Sequence, residues 1–491
     1  MAYLAIDLGA GSGRAIVGTI RDGCVCLDEI HRFDNTPVKL GDTLYWNFLS
    51  LFSNIKQGCF LAQKRGYELK GIAVDTWGVD YGLLDANGKL LSNPVTYRDS
   101  RTRGMLAKAL QTVSREEFYQ YTGIQQMEIN TVFQLLSQQE AGDASWLAAG
   151  KLLFMPDLIN YFLTGKQYNE YTIASTSQLL HAGTRQWEPS LFNALGLDIS
   201  KMADIIQPGR LLGPLLPSIA EETGTGDVNV YTVGSHDTAS AIAAIPAEGD
   251  NWAFLSSGTW SLLGIETDEP ILTQEALDHE FTNEGGVDNK ILFMRNCTGL
   301  WLLQSLIAEW ERGDTGTPNT YEYLLSESTK APEFRSIVNT DDALFSNPVS
   351  MEAAIQAYCQ RSAQAIPVSK GEFVRCVLES LALKYYFEMD RLKRCTNRVI
   401  TSLYVVGGGS KNALLSQYTA NVLGMNVITG LSESTALGNM IQQAIASGEI
   451  ADLREGRAII RDSFELKTYW PEDTAKWRAV IEAKRGLGFK I

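Results

Sequence analysis

Short apolar runs separated by glycine-containing turns open the chain. Residues 3–8, 15–20 and 24–32 have the pattern of buried strands, and the turns at 9–13 and 21–23 connect them. Glycine at such turns permits positive φ angles or a close approach of another group. The spacing predicts an antiparallel meander of three strands.

A helix and a further strand complete this first pattern. Apolar side chains recur at helical spacing within residues 46–62, and residues 69–75 return to a strand pattern. Asp-Ala-Asn-Gly at 85–88 marks a turn. Three strands, a helix and another strand predict an α/β domain whose mixed sheet is flanked by helices.

The second half of the chain repeats this arrangement. Residues 252–265 read as strand, small-residue turn and strand, and the short strand 403–406 leads through three glycines into an amphipathic helix. Residues 434–447 predict another helix, which Gly448 would end. Two glycine-turn hairpins, one in each half, predict two domains of related architecture.

Length supports this division, because a single core rarely grows beyond about 250–300 residues and the chain has 491. We predict an N-terminal domain of residues 1–246 and a C-terminal domain of residues 247–491, joined near 245–251. The helix-rich stretch 105–225 reads as an elaboration of the first domain.

Composition narrows the possible partners. The net charge of −15 disfavours duplex nucleic acid and anionic membranes as partners. Seven cysteines without a short CxxC spacing argue against a disulfide framework or a zinc site. The first residues lack the basic region of a signal peptide, and no uncharged apolar stretch of about 18 residues occurs, so we expect a cytoplasmic protein without a membrane span. The oligomeric state stays open.

The first candidate motif is Asp-Leu-Gly-Ala-Gly-Ser-Gly-Arg at residues 7–14. Small residues in a tight turn let backbone N–H groups approach phosphate oxygens. A dinucleotide fingerprint is disfavoured, since Arg14 stands where the last glycine belongs and a strand follows. A plain hairpin turn is an equally good interpretation of the loop. Asp7 ends a buried strand, where a carboxylate needs a partner such as hydrated Mg²⁺.

Two further motifs combine carboxylates with sugar-binding residue types. Asp-Thr-Trp-Gly-Val-Asp-Tyr at 75–81 offers hydrogen-bond acceptors and an aromatic face to a polyol, although a core tryptophan is the favoured interpretation of this motif alone. Gly-Ser-His-Asp-Thr at 234–238 precedes a predicted helix. Asp237 is there either a helix cap or a general base for phosphoryl transfer, and the cap is favoured in isolation.

Small-residue turns in the second half complete the set. Ser-Ser-Gly-Thr-Trp at 256–260 could meet phosphates, and Gly-Gly-Gly-Ser-Lys-Asn at 407–412 could lie along an adenosine near a helix N-terminus. Ordinary turn chemistry explains each of them equally well. The conjunction of all five motifs is more informative than any one.

Two strand–turn–strand phosphate loops, a glycine-rich adenosine loop and an isolated aspartate resemble the actin-like ATPase superfamily. The order of the motifs is similar to that of the FGGY carbohydrate kinases, and the resemblance covers nearly the whole chain. It implies two ribonuclease-H-like domains with an active site in the cleft between them, and it implies Mg²⁺ and ATP as cofactor and phosphate donor.

The resemblance also implies roles for individual residues. Asp237 would be the base that deprotonates the acceptor hydroxyl, and Asp7 would hold Mg²⁺. The implied ATP-binding residues are Ala10, Gly11, Ser12, Gly13, Arg14, Thr259, Gln304, Gly408, Gly409 and Asn412. The implied sugar-binding residues are Trp77, Gly78, Asp80, His236, Asp237, Thr238 and Asn296.

The resemblance within the family extends to segments at 10–14, 29–33, 97–101, 155–157, 163–165, 282–286 and 299–304, and it implies L-rhamnulose, phosphorylated at its C1 hydroxyl, as the acceptor. Another ketose, such as L-fuculose or a xylulose, is the nearest alternative. An actin-like ATPase that binds no sugar would have no use for Trp77, Asp80 and Asn296. A catalytically silent sugar sensor is disfavoured because Asp7 and Asp237 are both present.

Overall fold

The computed structural model describes residues 2–313 and 318–484. It forms two compact units: the first comprises Met1–Pro246, Glu266–Phe293 and Glu433–Glu465, and the second the remaining segments. The chain therefore passes between the units several times. One crossing falls at the predicted boundary between 246 and 247, while the division into two contiguous domains stays a prediction.

The elements are given in chain order. The strands are β1 (Ala2–Leu8), β2 (Ser12–Arg21), β3 (Cys24–Asp34), β4 (Val38–Leu40), β5 (Thr43–Tyr45), β6 (Leu69–Thr76), β7 (Tyr81–Leu84), β8 (Lys151–Phe154), β9 (Asn169–Glu170), β10 (Ile205–Ile206), β11 (Leu211–Pro214), β12 (Asn229–Tyr231), β13 (Trp252–Ser257), β14 (Trp260–Thr267), β15 (Thr282–Gly285), β16 (Ile291–Thr298), β17 (Ser402–Val406), β18 (Asn426–Leu431) and β19 (Lys467–Tyr469).

The α-helices are α1 (Phe48–Lys64), α2 (Met105–Ala109), α3 (Arg115–Thr122), α4 (Thr131–Glu140), α5 (Ala144–Ala148), α6 (Met155–Thr164), α7 (Tyr171–Ser175), α8 (Pro189–Leu195), α9 (Pro217–Thr223), α10 (Asp237–Ala243), α11 (Gln274–Asp278), α12 (Trp301–Arg312), α13 (Tyr321–Lys330), α14 (Met351–Arg361), α15 (Lys370–Thr396), α16 (Ala413–Leu423), α17 (Ser434–Ala446), α18 (Leu453–Ser463) and α19 (Thr474–Lys484). Short 3-10 turns occur at Ser100–Thr102, Ile199–Lys201, Ala343–Phe345 and Gly408–Lys411.

The sheet of the first unit has the order β11-β12-β6-β1-β2-β3. Strand β1 pairs antiparallel with β2 and parallel with β6, and β2 pairs antiparallel with β3. The predicted meander and the predicted mixed sheet are therefore confirmed. The central strand β1 is buried along its whole length, which explains why its sequence is almost continuously apolar.

Helix α17 packs on the central strands of this sheet and forms hydrogen bonds to them. The side-chain amide of Gln443 donates to the Leu4 carbonyl oxygen at 3.2 Å, and that of Asn439 donates to Asp75 at 2.6 Å. One turn further, the Gln442 Oε1 atom accepts the N–H of Gly234 at 2.7 Å. These amides satisfy buried polar groups of β1, of β6 and of the loop before α10.

The second unit contains a related strand arrangement. Strand β13 pairs antiparallel with β14 and parallel with β17, and β18 follows β17 in parallel. The predicted hairpin within 252–265 and the predicted strand at 403–406 are confirmed. Helix α15, the longest in the described residues, begins at a capping box formed by Ser369 and Glu372.

Three other predictions can be compared directly. Helix α17 ends at Ala446, and Gly448 follows with a φ of +78°, as expected for a helix terminator. All seven cysteines are free thiols. Within residues 2–313 and 318–484, none of the helices has the length and hydropathy needed to cross a bilayer.

Candidate active site

The loop between β1 and β2 is held by its own backbone and by Asn35. The Gly9 N–H donates to the Ser12 carbonyl oxygen at 2.9 Å, and the Asn35 side chain donates to the Gly9 carbonyl oxygen at 2.8 Å. Gly13 must lack a side chain, because a Cβ atom there would overlap the ring of Phe33. Gly11, at the tip, has open space around it, so the backbone at the tip is accessible to a ligand.

Arg14 bridges two carboxylates beside this loop. Its guanidinium donates to Asp7 through one nitrogen and to Glu433 through another. Burial raises the pKa of Asp7, and the charge of Arg14 opposes that rise. Burial by itself would lower the pKa of Arg14, but the two carboxylates raise it by more than burial lowers it. The pKa is therefore above its ordinary value, and the guanidinium stays charged.

Asp75 is the functional candidate that sequence reasoning missed. It lies directly opposite Asp7 in the parallel pairing of β1 and β6, and its side chain is fully buried. Its Oδ2 atom accepts from Asn439, whereas its Oδ1 atom has no hydrogen-bond partner among the described residues. Burial, and next the charge of Asp7, raise its pKa well above the usual range. The motif at 75–81 contains Asp75, but only the strand pairing reveals its neighbour.

The structure brings the second and third motifs together with the end of β1. The Trp77 N–H donates to the Leu8 carbonyl oxygen at 3.2 Å, and the Thr76 N–H donates to the Ser235 carbonyl oxygen at 2.9 Å. Thr76 and His236 also form an isolated parallel bridge. Residues far apart in the chain therefore meet at the carboxyl ends of the central strands β1 and β6.

His236 and Asp237 lie at the start of helix α10, next to the carboxyl end of β6. Asp237 is the first residue of the helix and His236 is its N-cap residue, so the cap interpretation of Asp237 is wrong. The Asp237 side chain is one-third exposed, and its Oδ1 atom lies 3.6 Å from the His236 Nε2 atom. Burial raises the pKa of Asp237, His236 lowers it, and the charge of Asp7 raises it again.

Gly78 leaves room beside the His236 ring. A Cβ atom at Gly78 would lie 3.4 Å from His236 Nε2 and 3.3 Å from a methyl carbon of Thr176. The Thr238 hydroxyl donates to Asp237 at 3.2 Å. Gly78, His236, Asp237 and Thr238, all predicted to bind the sugar, are thus grouped at one place in the first unit.

Trp77 and Asp80 have a different environment from the one expected. Trp77 is 5% exposed, and its ring packs on Trp46 with centroids 4.2 Å apart. Asp80 is fully buried, and its Oδ2 atom accepts the indole N–H groups of both tryptophans, at 2.6 and 2.9 Å. This burial weighs against a direct contact with a sugar, although the assignment stays a prediction.

The residues predicted to bind ATP are divided between the two units. Residues 10–14 belong to the first unit, and all the others belong to the second. The Thr259 hydroxyl donates to the Gln304 side chain at 3.0 Å, and the Gly299 N–H donates to the Thr259 carbonyl oxygen at 3.1 Å. The β13–β14 turn is therefore tied to the start of α12, which carries Gln304. Asn296 lies in β16 of the same unit.

The triple-glycine turn has one open position and two constrained ones. Gly407 has a φ of +80°, and a Cβ atom at Gly409 would overlap Ser257, whereas Gly408 has open space around it. Asn412 is fully buried and caps α16 by accepting the Leu415 N–H at 2.9 Å. The geometry thus gives Asn412 a structural role and leaves Gly408 accessible.

Glu170 supports the loop that carries His236. It is fully buried, and it accepts from Thr172 and from the Ser235 N–H, the latter at 3.2 Å. Burial raises the pKa of Glu170 to about 7. Burial, and next the charge of Glu170, raise the pKa of the neighbouring Asp157 well above the usual range.

The raised pKa of Glu170 predicts a stability that falls with pH. The folded state keeps a proton that the unfolded state releases near pH 4.5, so this contribution is present below that pH and is lost as the pH rises to about 7. We expect a loss of about 2–3 kcal/mol over this interval. Urea unfolding of wild type and Glu170→Gln between pH 4.5 and 7.5 would test it, because the variant should lack this part of the slope. Equal slopes would contradict the prediction, and Glu275→Gln, at an exposed glutamate, is the matched control.

Family models match both halves of the chain. The N-terminal domain of the FGGY family of carbohydrate kinases matches residues 2–243, and the C-terminal domain of that family matches residues 253–447. This chain belongs to the FGGY family of carbohydrate kinases.

Curated relatives lie within the same family. The chain is 44% identical over 477 residues to a rhamnulokinase of Bacteroides thetaiotaomicron, with 97% of each chain covered. It is 40% identical to a rhamnulokinase of Oceanobacillus iheyensis, with 95% of this chain and 97% of the relative covered.

Solved structures support the fold. The ligand-bound xylulose kinase of Lactobacillus acidophilus is similar with a TM-score of 0.81 at 18% identity, covering 99% of this chain and 98% of that one. The glycerol kinase of Plasmodium falciparum with ADP gives 0.77 at 14% identity, covering 98% of each chain. The expected fold of two ribonuclease-H-like domains is confirmed.

Proposed function

We propose that this chain transfers the γ-phosphate of ATP to the C1 hydroxyl of L-rhamnulose, giving L-rhamnulose 1-phosphate and ADP in the catabolism of L-rhamnose. The observation that carries the choice of sugar is the similarity, over 95% or more of the chain, to proteins named rhamnulokinase. A kinase of this kind uses cytoplasmic ATP, so a cytoplasmic location is part of the proposal.

Asp237 is the proposed base. Its carboxylate is partly exposed and lies beside His236 Nε2 and the space left by Gly78. It accepts the proton of the C1 hydroxyl while that oxygen forms a bond to the γ-phosphorus and the bond to the bridging oxygen of ADP breaks. Orientation and charge neutralisation dominate the rate of such transfers.

The proposed phosphate site in the first unit is the loop from Ala10 to Arg14. Its accessible tip at Gly11 offers backbone N–H groups, and Arg14 adds a fixed positive charge. In the second unit, Thr259, Gln304, Gly408 and Gly409 are proposed to bind the nucleotide, and Asn412 supports them as a helix cap. Asn296 is proposed to bind the sugar.

The carboxylates of Asp7 and Asp75 fit a hydrated magnesium ion. They are oxygen donors on adjacent strands, and Asp75 Oδ1 has no hydrogen-bond partner among the described residues. Residues 2–313 and 318–484 contain no group of three or more such side chains that could enclose a metal. An ion held by two carboxylates would keep several of its waters. When bound, the ion would neutralise charge on the phosphates.

The test is ADP release with Mg-ATP against a panel of ketoses and aldoses. We expect turnover selective for L-rhamnulose, with the product phosphorylated at C1. Selective turnover of L-fuculose or a xylulose would support the kinase activity but contradict L-rhamnulose as the acceptor. ATP hydrolysis that no sugar stimulates would contradict the proposal.

A further inference from the structure

Glu284 faces the side of His236 that lies away from Asp237. The His236 Nδ1 atom and the Glu284 Oε2 atom are 3.2 Å apart, and both residues are largely buried. The two atoms are within ion-pair distance, and neither of them makes a hydrogen bond among the described residues. The imidazole is therefore set between two carboxylates, with Glu284 at Nδ1 and Asp237 at Nε2.

Glu284 is held firmly within the first unit. It lies in β15, where the Gly285 N–H donates to the Ser175 hydroxyl at 2.8 Å and the Asn283 N–H donates to the Gly123 carbonyl oxygen at 2.8 Å. A Cβ atom at Gly285 would come within 2.7 Å of the Tyr171 ring, so the strand packs closely on α7. These contacts fix the backbone of Glu284, so the side chain starts from a defined position beside His236.

This contact determines how His236 presents its other nitrogen. A carboxylate at Nδ1 favours a proton there and fixes the rotation of the ring. The Nε2 atom then points to Asp237 and to the space beside Gly78. Burial alone would lower the pKa of His236, but Glu284 and then Asp237 and Glu170 raise it above its ordinary value.

We propose that Glu284 is a positioning residue for phosphoryl transfer, which holds the His236 ring through Nδ1 so that Nε2 faces Asp237 and the acceptor hydroxyl. The inference rests on the proposed function and adds a residue to its site. A protonated imidazole at this distance favours the carboxylate form of Asp237, so Glu284 acts on the base through the histidine.

The first test is the pH dependence of kcat for Glu284→Gln. We expect kcat to fall about 10- to 100-fold, since the ring loses its orientation. We also expect the acid limb to move to higher pH by about one unit, because a less charged His236 no longer favours the Asp237 carboxylate. The titratable groups that act on this pair are Glu284 on β15, Glu170 on β9, Asp7 on β1, Asp75 on β6 and Tyr97, and only the first is changed. An acid limb at the wild-type pH would overturn the proposal, and Glu275→Gln is the control on the same segment.

A double-mutant cycle asks whether Glu284 acts through His236. In a His236→Asn background, the Glu284→Gln substitution should cost less than threefold in kcat, because the intermediary is absent. An undiminished effect of Glu284→Gln in that background would overturn the proposal.

A measurement without substrate separates this inference from the proposed function. The chain has four histidines, so ¹⁵N-labelled imidazoles can be titrated by NMR and His236 assigned by its loss in His236→Asn. We expect His236 of the wild type to titrate above about 6.5 with a proton on Nδ1. A lower pKa, or a neutral ring protonated only at Nε2, would overturn the proposal even if Glu284→Gln fails to fold. If no sugar of the panel were phosphorylated, the proposed function would fail, and this titration would still test the contact between Glu284 and His236.

Discussion

Replacing Asp237 by asparagine is expected to lower the sugar-dependent kcat by about 10²- to 10⁴-fold. The amide keeps the shape of the side chain and can still accept the Thr238 hydroxyl, but it cannot take the proton of the attacking hydroxyl. The helix should persist, because His236 and not Asp237 is its N-cap residue. Coupled assay of ADP release at saturating sugar and Mg-ATP measures the effect.

A matched substitution separates chemistry from general charge loss. Asp42 is exposed on the first unit, and Asp42→Asn should leave kcat unchanged. The KM for the sugar should change by less than about tenfold in Asp237→Asn, since the removed interaction belongs mainly to the transition state. An Asp237→Asn enzyme with more than about a tenth of the wild-type kcat would exclude Asp237 as the base.

Local features of the site were predictable from the sequence. The loop from Gly9 to Gly13 follows a strand that is buried over its full length and mostly apolar, and small residues mark both the turn and the start of the returning strand. The same holds for Gly407, whose positive φ suits glycine. Such patterns depend on contacts within a few residues, so the periodicity of apolar residues and the residue types at turns are enough to predict them.

Features that depend on strand pairing were not predictable in this way. Asp75 faces Asp7 only because β6 lies parallel to β1, and nothing in the sequence near either residue states that pairing. Glu284 reaches His236 from a segment that follows the second hairpin of the chain. A carboxylate in a short strand is a sequence signal, but its partner is determined by tertiary packing.

The environment of Asp80 shows why residue type alone misleads. Trp77 and Asp80 are residue types that sugar sites use, and their spacing suits either a binding face or a core. Trp46, from the segment before α1, supplies a second indole N–H that buries the carboxylate completely. Because sequence reasoning did not include Trp46, it could not distinguish the two environments.

Adding a methyl group at Gly438 is expected to destabilise the first unit by about 2–3 kcal/mol. Gly438 lies in α17 against α10, and a Cβ atom there would overlap the carbonyl oxygen of Ser240. Backbone cannot rotate away as a flexible side chain can, so one helix must shift. Alanine would otherwise favour the helix by up to about 1 kcal/mol, and overpacking outweighs that gain. Urea and thermal unfolding measure the change.

The same substitution should also reduce activity, because α10 begins with the proposed base and any shift of its backbone moves Asp237 relative to His236. Gly313→Ala is the control: it ends α12 with a φ of −82°, and its added Cβ atom would meet nothing closer than 3.6 Å. We expect that variant to change stability by less than about 0.5 kcal/mol. If Gly438→Ala were as stable as Gly313→Ala, the two helices would not be in backbone contact, and the close packing that holds α10 at the candidate site would have to be abandoned.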